Sequence, residues 1–381
     1  MPPAARCLAE EGVVISPTHL IKGGTPRFDD IERLLRGGLH PSRNVGDNLA
    51  DLRAAVAANH RGANSLRALA IEHGIAEMRE HMRALTQRAE RLTRAALAQR
   101  AGDVCEATEL LDDGSILKVT LRVHGDSAVI DFTGSAPTHS GNLNATPAIV
   151  RSTVMYVLRL LIGERLPLNE GIMRAVDVHI PHGMLNPKFV DDPALCPAVV
   201  GGNTETSQRI VDTLLKALNL CACSQGTMNN LLFGNDRFGY YETVCGGSGA
   251  GQDFHGADAV HTHMTNTRIT DPEIVEHRYP VRVEQFAIRR GSGGRGQFRG
   301  GDGVVREFTF LAPVSLSVLS QHRVQAPYGM SGGASGARGT QRVIRADGAV
   351  IHLESIDGCE VMPGDRIVLE TPGGGGWGTP R

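Results

Sequence analysis

Residues 117–132 read LKVTLRVHGDSAVIDF, and this stretch decides the class of fold. Apolar side chains occupy every second position over 117–123 and again over 128–132. A period of two places them on one face of an extended chain. The His-Gly-Asp-Ser segment between the two runs has the composition of a turn. We therefore predict a β-hairpin with one buried face.

The segment upstream of the hairpin, residues 47–102, has helical periodicity instead. Asp47 is a suitable N-cap residue, a break is expected near Gly62, and Gly74 is expected to end the second of three helices. The third helix, closed by Gly102, carries a narrow apolar seam at alternating steps of three and four. The seam consists of Ile75, Met78, Met82, Leu85, Ala89, Leu92 and Ala96. It should pack against the rest of the fold or against a partner helix.

Downstream of the hairpin, the periodicity predicts both helices and strands. An N-cap threonine followed by proline at N1 opens an apolar helix, and apolar runs of both periods follow. The predicted elements are a helix from Thr146 to Leu161 that ends at Gly163, a strand at 176–180 and a buried helix at 210–218.

Glycine dominates the last part of the chain. Many of the 46 glycines are concentrated in clusters that mark tight turns or loops around a ligand; the clusters are 245–256, 291–303, 329–339 and 373–378. We predict an α+β fold, with an N-terminal helical segment followed by a mixed, glycine-rich, β-dominated core with a few buried helices. The expected organisation is one unit over 1–381, with an irregular lead-in at 1–46, helices at 47–102, a mixed core at 103–280 and a glycine-rich β region at 281–381.

Composition narrows the classes of function. The formal net charge is −2 with both signs mixed along the chain, which excludes the basic surface that non-specific nucleic-acid binding needs. No apolar run reaches about 18 residues, and the N-terminus lacks the apolar core of a secretory signal. The seven cysteines are odd in number and mostly isolated, as in a reducing compartment. A cytoplasmic protein is expected.

Two familiar motifs match by chance. The glycines at 291, 293 and 296 fit the dinucleotide fingerprint, but the residues that follow are not helix-forming, so a pyrophosphate would have no helix N-terminus to bind. Ser331 lies in a Gly-x-Ser-x-Gly match that is also not followed by a helix. The P-loop pattern GxxxxGK[ST] does not occur. An ATP site would therefore need another architecture or another polypeptide.

Polar residues are concentrated between 203 and 273. On an extended segment His261 and His263 would face the same side about 6–7 Å apart, which suits two metal ligands or a base with its orienting partner. The alternative is a polar loop with solvated histidines. With Glu242 these histidines are the catalytic candidates. Amide, hydroxyl and guanidinium groups beside glycines suit a small polar ligand, and the substrate-binding candidates are Asn203, Ser207, Asn229, Asn230, Asn266 and Arg268.

Several unusual strings resemble the hydantoinase B family, in order and over essentially the whole chain. They are DFTG at 131–134, GNLNA at 141–145, PLNEG at 167–171, VGGN at 200–203, SQGTMNN at 224–230, YYET at 240–243, RGSGG at 290–294, RGGDG at 299–303, PYG at 327–329 and GGGGWG at 373–378. The string HTHMTNTRITDPE at 261–273 is most similar to the C-terminal region of ATP-dependent 5-oxoprolinases.

The resemblance implies a reaction. In such enzymes ATP phosphorylates the oxygen of a lactam, whose carbonyl is otherwise a poor electrophile, and water then opens the ring, converting 5-oxo-L-proline to L-glutamate. It also implies a hydantoinase A-type subunit or region that handles ATP, a divalent metal and an oligomer. A hydantoinase subunit acting on N-methylhydantoin, a related carboxylase subunit, or an inactive assembly partner that uses the 75–96 seam are the alternatives.

The chain departs from the family pattern at its start. Residues 1–3, Met-Pro-Pro, resemble an internal point of the family that follows a His-His-x-Asp metal motif, and that motif is absent here. The resemblance therefore implies a truncated chain that is inactive in isolation, with ATP and metal sites largely elsewhere. Glu11 falls shortly after the missing motif and is the candidate metal ligand. The alternative is a capping or salt-bridging glutamate.

Overall fold

The computed structural model describes residues 2–380, so Met1 and Arg381 lie outside it. The α-helices are α1 Phe28–Arg36, α2 Val45–His73, α3 Ile75–Ala98, α4 Pro147–Ile162, α5 Ser207–Ala217 and α6 Pro272–Arg278. Short helical turns lie at Leu8–Glu11, Glu170–Ala175 and Pro193–Leu195, and a π-turn at Gly202–Thr206 leads directly into α5. Of the helices described, none combines the length and apolarity that crossing a bilayer requires.

The strands form four sheets. In chain order they are β1 Ile21–Lys22, β2 Thr25–Pro26, β3 Val104–Leu110, β4 Ile116–His124, β5 Ser127–Asp131, β6 Val176–His179, β7 Asn230–Gly234, β8 Gly239–Thr243, β9 Val281–Arg289, β10 Gly303–Phe310, β11 Val314–Leu319, β12 Thr340–Ile344, β13 Val350–His352, β14 Ile356–Val361 and β15 Arg366–Glu370. The sheet orders are β1-β2, β3-β4-β5-β6, β14-β11-β7-β8 and β13-β12-β15-β10-β9. The predicted α+β class is confirmed.

The hairpin at 117–132 forms as predicted. β4 and β5 pair in antiparallel register, with His124 opposite Ser127 at the turn. The alternate apolar side chains are buried on one face, where they share a core with α4 and α5. β6 joins β5 in parallel, because α4 and the turns after it return the chain to the same end of the sheet. This core supports the buried side of α5.

The helical segment differs from the prediction at two points. Gly62 does not break the helix, so α2 continues for 29 residues, and its N-cap is Asn44 instead of Asp47. Gly74, with φ +86°, does separate α2 from α3. Only the C-terminal half of the predicted seam packs: Ala89 is fully buried, whereas Ile75 remains 57% exposed.

The sheet β14-β11-β7-β8 combines strands from distant parts of the sequence. β7 pairs with β8 on one side and with β11 on the other, which joins residues 230–243 to residues 314–361. Phe233 packs among aromatic and aliphatic side chains on one face of this sheet. Because side chains alternate along a strand, the neighbours of Phe233 on β7 lie on the opposite face of the sheet.

The glycine clusters interlock through their backbones. Gly374 donates its N–H to Gly301 O, and Gly301 donates to Ser248 O, each over 2.9 Å. A Cβ atom on Gly374 would come within 1.9 Å of Ser248 O, so no other residue fits without displacing the backbone. No helix follows 291–296 or Ser331, as expected for the two chance motifs.

Candidate active-site cleft

A cleft of about 1190 Å³ lies beside the sheet β14-β11-β7-β8. Its floor includes Leu232 and Gly234 of β7 together with Ser315 and Ser317 of β11. These residues share one face of the sheet, because Gly234 pairs with Ser315 and Leu232 pairs with Ser317. This face is therefore the polar counterpart of the aromatic face on the other side.

The walls of the cleft come from the N-terminal part of the chain, residues 2–13 and 39–43. Leu8 donates its N–H to Cys196 O over 2.9 Å, and Cys7 forms an isolated β-bridge with Pro197. Backbone hydrogen bonds thus hold the first wall against the segment that precedes α5. The cleft consequently depends on contacts between residues almost 200 positions apart.

Glu11 lines the cleft and caps a helical turn. Its Oε1 accepts hydrogen bonds from the N–H groups of Val199 and Val200, at 2.8 and 2.7 Å. Burial raises the pKa of this carboxyl, and the two N–H groups oppose that shift. The capping alternative is thus what the geometry shows, while Oε2 accepts no hydrogen bond within residues 2–380. A role in metal binding stays a prediction.

Glu205 is the most unusual carboxyl group near the cleft. It lies in the π-turn and is fully buried. Its Oε1 accepts from Met228 N (3.1 Å) and from Asn230 Nδ2 (2.7 Å), while Oε2 has no partner. Burial without a directly bonded cation raises its pKa to about 8. A π-turn interrupts α-helical packing and often occurs at functional sites.

A hydrogen-bonded chain connects Glu205 to the polar face of the sheet. Asn230, which donates to Glu205, accepts from the Tyr241 hydroxyl through Oδ1 at 2.7 Å. Tyr241 pairs with Leu232, so its side chain lies on the face that floors the cleft, and it is 42% exposed. Burial of its hydroxyl raises the pKa of Tyr241 to about 12. The hydrogen bonds thus connect a carboxyl group with a raised pKa to the cleft side of the sheet.

Helix α5 carries a buried polar stripe that continues from Glu205. Gln208, Arg209 and Asp212 follow at three, four and seven residues and are all fully buried. Asp212 Oδ1 accepts from Ser224 N (3.1 Å) and pairs with His263 Nε2 (3.0 Å). The Arg209 guanidinium donates to Glu109 Oε2 (3.1 Å). Arg209 is paired with a carboxylate and Asp212 is hydrogen-bonded, so the stripe holds α5 against residue 224 and the segment 261–265.

The predicted geometry of His261 and His263 is wrong. The segment is not an extended strand, because His263 has φ +52° and the chain turns there. The His263 ring lies between Asp212 and the Tyr156 hydroxyl, whose oxygen is 3.5 Å from Nδ1. His261 is half-buried with Nδ1 unpartnered, and burial lowers its pKa. The two rings therefore do not form the same-side pair that strand spacing predicted.

Glu242 lies on the aromatic face, away from the cleft. It pairs with Leu231 across β7 and β8, and Leu231 belongs to the buried aromatic core. Arg306 contacts its two oxygens at 3.2 and 3.3 Å, and the Tyr240 hydroxyl donates to Oε2 at 2.7 Å. Both carboxylate oxygens are thus engaged by the core.

The predicted substrate-binding residues are dispersed. Asn230 is part of the chain to Glu205, and Asn229 is held by Gln225 and Arg323 in the interior. Ser207 is buried and donates to the backbone of its own helix. The exposed members are Asn203, Asn266 and Arg268. None of the six lines the cleft.

Three notable residues were not predicted from the sequence: Glu205 and Asp212, which are buried outside the cleft lining, and Arg43, which lines the cleft. The first two could have been found, since a polar residue at three, four and seven positions from a glutamate on an otherwise apolar helix is an unusual pattern. For Arg43 the sequence carries no comparable signal. Within residues 2–380 no three His, Cys, Asp or Glu side chains are arranged to hold a metal ion. Glu11 would thus need ligands from outside this chain.

Comparisons with known proteins agree with the family resemblance of the sequence strings. The family model described as Hydantoinase B/oxoprolinase matches residues 1–380. The chain is 40% identical to 5-oxoprolinase 1 of Arabidopsis thaliana and 42% identical to 5-oxoprolinase of Dictyostelium discoideum, covering 100% and 99% of this chain. It spans only 31% and 30% of those relatives.

A solved structure is also similar. The crystal structure of ATP-dependent caprolactamase from Pseudomonas jessenii superimposes with a TM-score of 0.81 at 25% sequence identity. The match covers 97% of this chain and 67% of that chain. The overall fold described above is therefore similar to that of an ATP-dependent caprolactamase.

Proposed function

Because the chain belongs to the hydantoinase B/oxoprolinase family, we propose that it supplies the lactam-handling part of an ATP-dependent 5-oxoprolinase. The reaction would open the ring of 5-oxo-L-proline to give L-glutamate. Family membership and the caprolactamase likeness support this class of reaction. The observation that supports a location for the site is the cleft beside β7 and β11, whose largely apolar lining includes the Glu11 carboxyl group.

The chemistry explains why ATP would be needed. Resonance with nitrogen removes positive character from a lactam carbon, so water alone attacks it slowly. Transfer of a phosphoryl group to the lactam oxygen makes the carbon electrophilic. One water then adds to that carbon and the carbon–nitrogen bond breaks, the nitrogen taking a proton, which leaves an acyl phosphate. A second water hydrolyses the acyl phosphate to a carboxylate and inorganic phosphate. ATP, two waters and 5-oxo-L-proline thus become ADP, phosphate and L-glutamate.

The residues of this chain would bind and orient the ring. Glu11 would direct one carboxylate oxygen at the reacting end of the cleft, either toward the attacking water or as one ligand of a metal completed from elsewhere. Tyr241, held by Asn230 and Glu205, would fix the polar floor next to it. His261 and Asp212 with His263 lie deeper and would position the loop at 261–265 against α5.

Phosphoryl transfer would come from outside these residues. The sequence contains no P-loop pattern, and it corresponds to less than a third of the length of the Arabidopsis and Dictyostelium 5-oxoprolinases. We propose that a hydantoinase A-type region binds ATP and closes the open side of the cleft. The isolated chain would then lack turnover.

Reconstitution tests this function. The chain would be purified alone and together with a hydantoinase A-type region, and ADP release dependent on 5-oxo-L-proline would be measured. We expect turnover only from the complex, and at least about a 10-fold lower kcat for Glu11→Gln. Glu10→Gln is the matched control, because Glu10 is an exposed neighbour in the same cleft.

Two outcomes would contradict the proposal. Robust turnover by the chain alone would show that no outside region is needed. Unchanged turnover of the Glu11→Gln complex would remove the carboxylate from the reacting end of the cleft.

A further inference from the structure

Among the lining residues within 2–380, Arg43 is the one arginine or lysine of the cleft. The other ionisable side chains in the lining are His40, Glu10, Glu11 and Asp236. A carboxylate entering the cleft would be repelled by the three acids and attracted by Arg43. The distribution of charge thus defines an end of the cleft suited to an anion.

The backbone of the β7–β8 hairpin shapes the position of Arg43. Gly234 and Gly239 are paired at the end of this hairpin. A Cβ atom on Gly234 would lie 3.3 Å from Arg43 Nη1, and one on Gly239 would lie 3.3–3.4 Å from the guanidinium atoms. The guanidinium therefore rests against backbone that two glycines leave bare. The fit is tight on the side that faces the hairpin.

Arg43 has no partner of its own in the described residues. It forms no ion pair and no hydrogen bond there, although acidic side chains line the same cleft. By contrast, Arg306 and Arg209 are both matched with carboxylates. Arg43 is exposed, so its N–H groups are accessible to a ligand, and Ser317 lines the same cleft.

We propose that Arg43 binds the carboxylate of the lactam substrate. This inference rests on the proposed function and adds a specificity residue to it. A guanidinium matches a carboxylate through two parallel hydrogen bonds, which fixes direction as well as position. The ring would then lie with its carboxylate toward the β7–β8 hairpin and its amide toward Glu11. Arg268, the arginine among the substrate-binding candidates predicted from the sequence, lies outside the cleft, whereas Arg43 lines it.

The assignment predicts a preference among cyclic amides. 5-Oxo-L-proline carries the carboxylate that Arg43 needs, whereas pyrrolidin-2-one has the same ring without it. The enzyme should therefore discriminate strongly between the two, and the discrimination should depend on Arg43. Loss of hydrogen bonds to a charged group lowers affinity by about 10- to 100-fold.

The test uses the chain complexed with its hydantoinase A-type region. The KM for 5-oxo-L-proline and the competitive inhibition constant of pyrrolidin-2-one would be measured for wild type, Arg43→Met and Arg43→Lys. We expect Arg43→Met to raise KM about 10- to 100-fold with a smaller change in kcat, and Arg43→Lys to recover part of the loss. Inhibition by pyrrolidin-2-one should be unchanged.

Arg61→Met is the matched control, because Arg61 is an exposed arginine in the middle of α2. An unchanged KM in Arg43→Met, or an equal loss for pyrrolidin-2-one, would overturn the role of Arg43 while leaving the turnover of the wild-type complex, and hence the proposed function, intact. A wild-type complex that turns over no 5-oxo-L-proline would overturn both. Circular dichroism of each variant would show whether the fold is retained.

Discussion

A buried glutamate lies on each side of the sheet β14-β11-β7-β8, and the two carboxyl groups have different bonding partners. On the aromatic face, Glu242 is matched by the Arg306 guanidinium and by the Tyr240 hydroxyl. On the cleft side, Glu205 accepts from an amide side chain and a backbone N–H, and no cation is directly bonded to it within residues 2–380. A buried carboxylate can remain ionised when a cation is bonded to it, whereas burial without a cation favours the protonated form. Burial alone therefore does not indicate what a carboxyl group does; its partners decide.

Removing the cation from the aromatic face should have the largest effect. Arg306→Met would leave the Glu242 carboxylate buried without a counter-charge, and we expect a loss of about 3–5 kcal/mol in the free energy of unfolding. Urea denaturation would measure it. The double variant Glu242→Leu with Arg306→Met should recover most of the loss, since an apolar pair replaces the ionic one.

Arg282→Met provides the control for that experiment. Its partner Glu284 forms a mostly exposed ion pair with it, so the expected loss is below about 1 kcal/mol. Equal losses in Arg306→Met and Arg282→Met would contradict the distinction between the two faces.

The pH dependence of Glu205 should give the next largest effect. Its folded pKa, about 8, lies above the ordinary value of 4.5, so between these values the folded state holds a proton that the unfolded state has released. The stability of the folded chain should thus fall as pH rises through this window, by at most about 1.4 kcal/mol per pH unit from this group. Glu205→Gln should remove that slope.

Urea denaturation at several pH values between 5 and 9 would compare wild type with Glu205→Gln. Glu354→Gln, at an exposed glutamate, is the control and should leave the slope unchanged. A Glu205→Gln slope equal to that of wild type would show that Glu205 is ionised in the fold, and would make the two faces alike.

A half-exposed pair should give the smallest effect. Asp113 Oδ2 lies 2.6 Å from His139 Nε2, and this contact lowers the pKa of Asp113 to about 2 and raises that of His139. The carboxylate contribution is present above about pH 4 and is lost as pH falls toward 2. The histidine contribution is present below about 6.5 and is lost as pH rises through its raised pKa.

Asp113→Asn should consequently destabilise the chain most between about pH 4 and 6.5, by less than about 1 kcal/mol because both side chains contact solvent. A double-mutant cycle with His139→Gln, followed by thermal denaturation, would isolate the pair. A coupling energy between Asp113 and His139 as large as that between Glu242 and Arg306 would mean that solvent does not screen the partly exposed pair.

The local elements were predictable because their signals are local. The hairpin at 117–132 follows from a period of two, and α4 begins after Thr146 and ends at Gly163, where the backbone has φ +71°. The predicted break near Gly62 was wrong, because a glycine inside a helix costs only about 1 kcal/mol and the surrounding residues continue the helix.

The site was less predictable because it depends on contacts between distant segments. The turn at His263 and the wall formed by residues 2–13 cannot be read from local periodicity. Asn230 was identified from its polar surroundings, but its partner Glu205 was not. Arg43 is a candidate because its guanidinium contacts the hairpin glycines, which lie almost 200 residues away in the sequence.

The interlocked glycine loops impose an all-or-none rule on variation. At Gly247, Gly301 and Gly375 the obstacle to a side chain is a carbonyl oxygen 1.9 Å from its first carbon. Alanine meets that obstacle as fully as tryptophan does, so in a saturation library the penalty at these sites should not scale with the size of the incoming residue. All replacements at these sites should therefore be similarly destabilising. At a core position such as Phe308 the loss should instead depend on the size of the replacement.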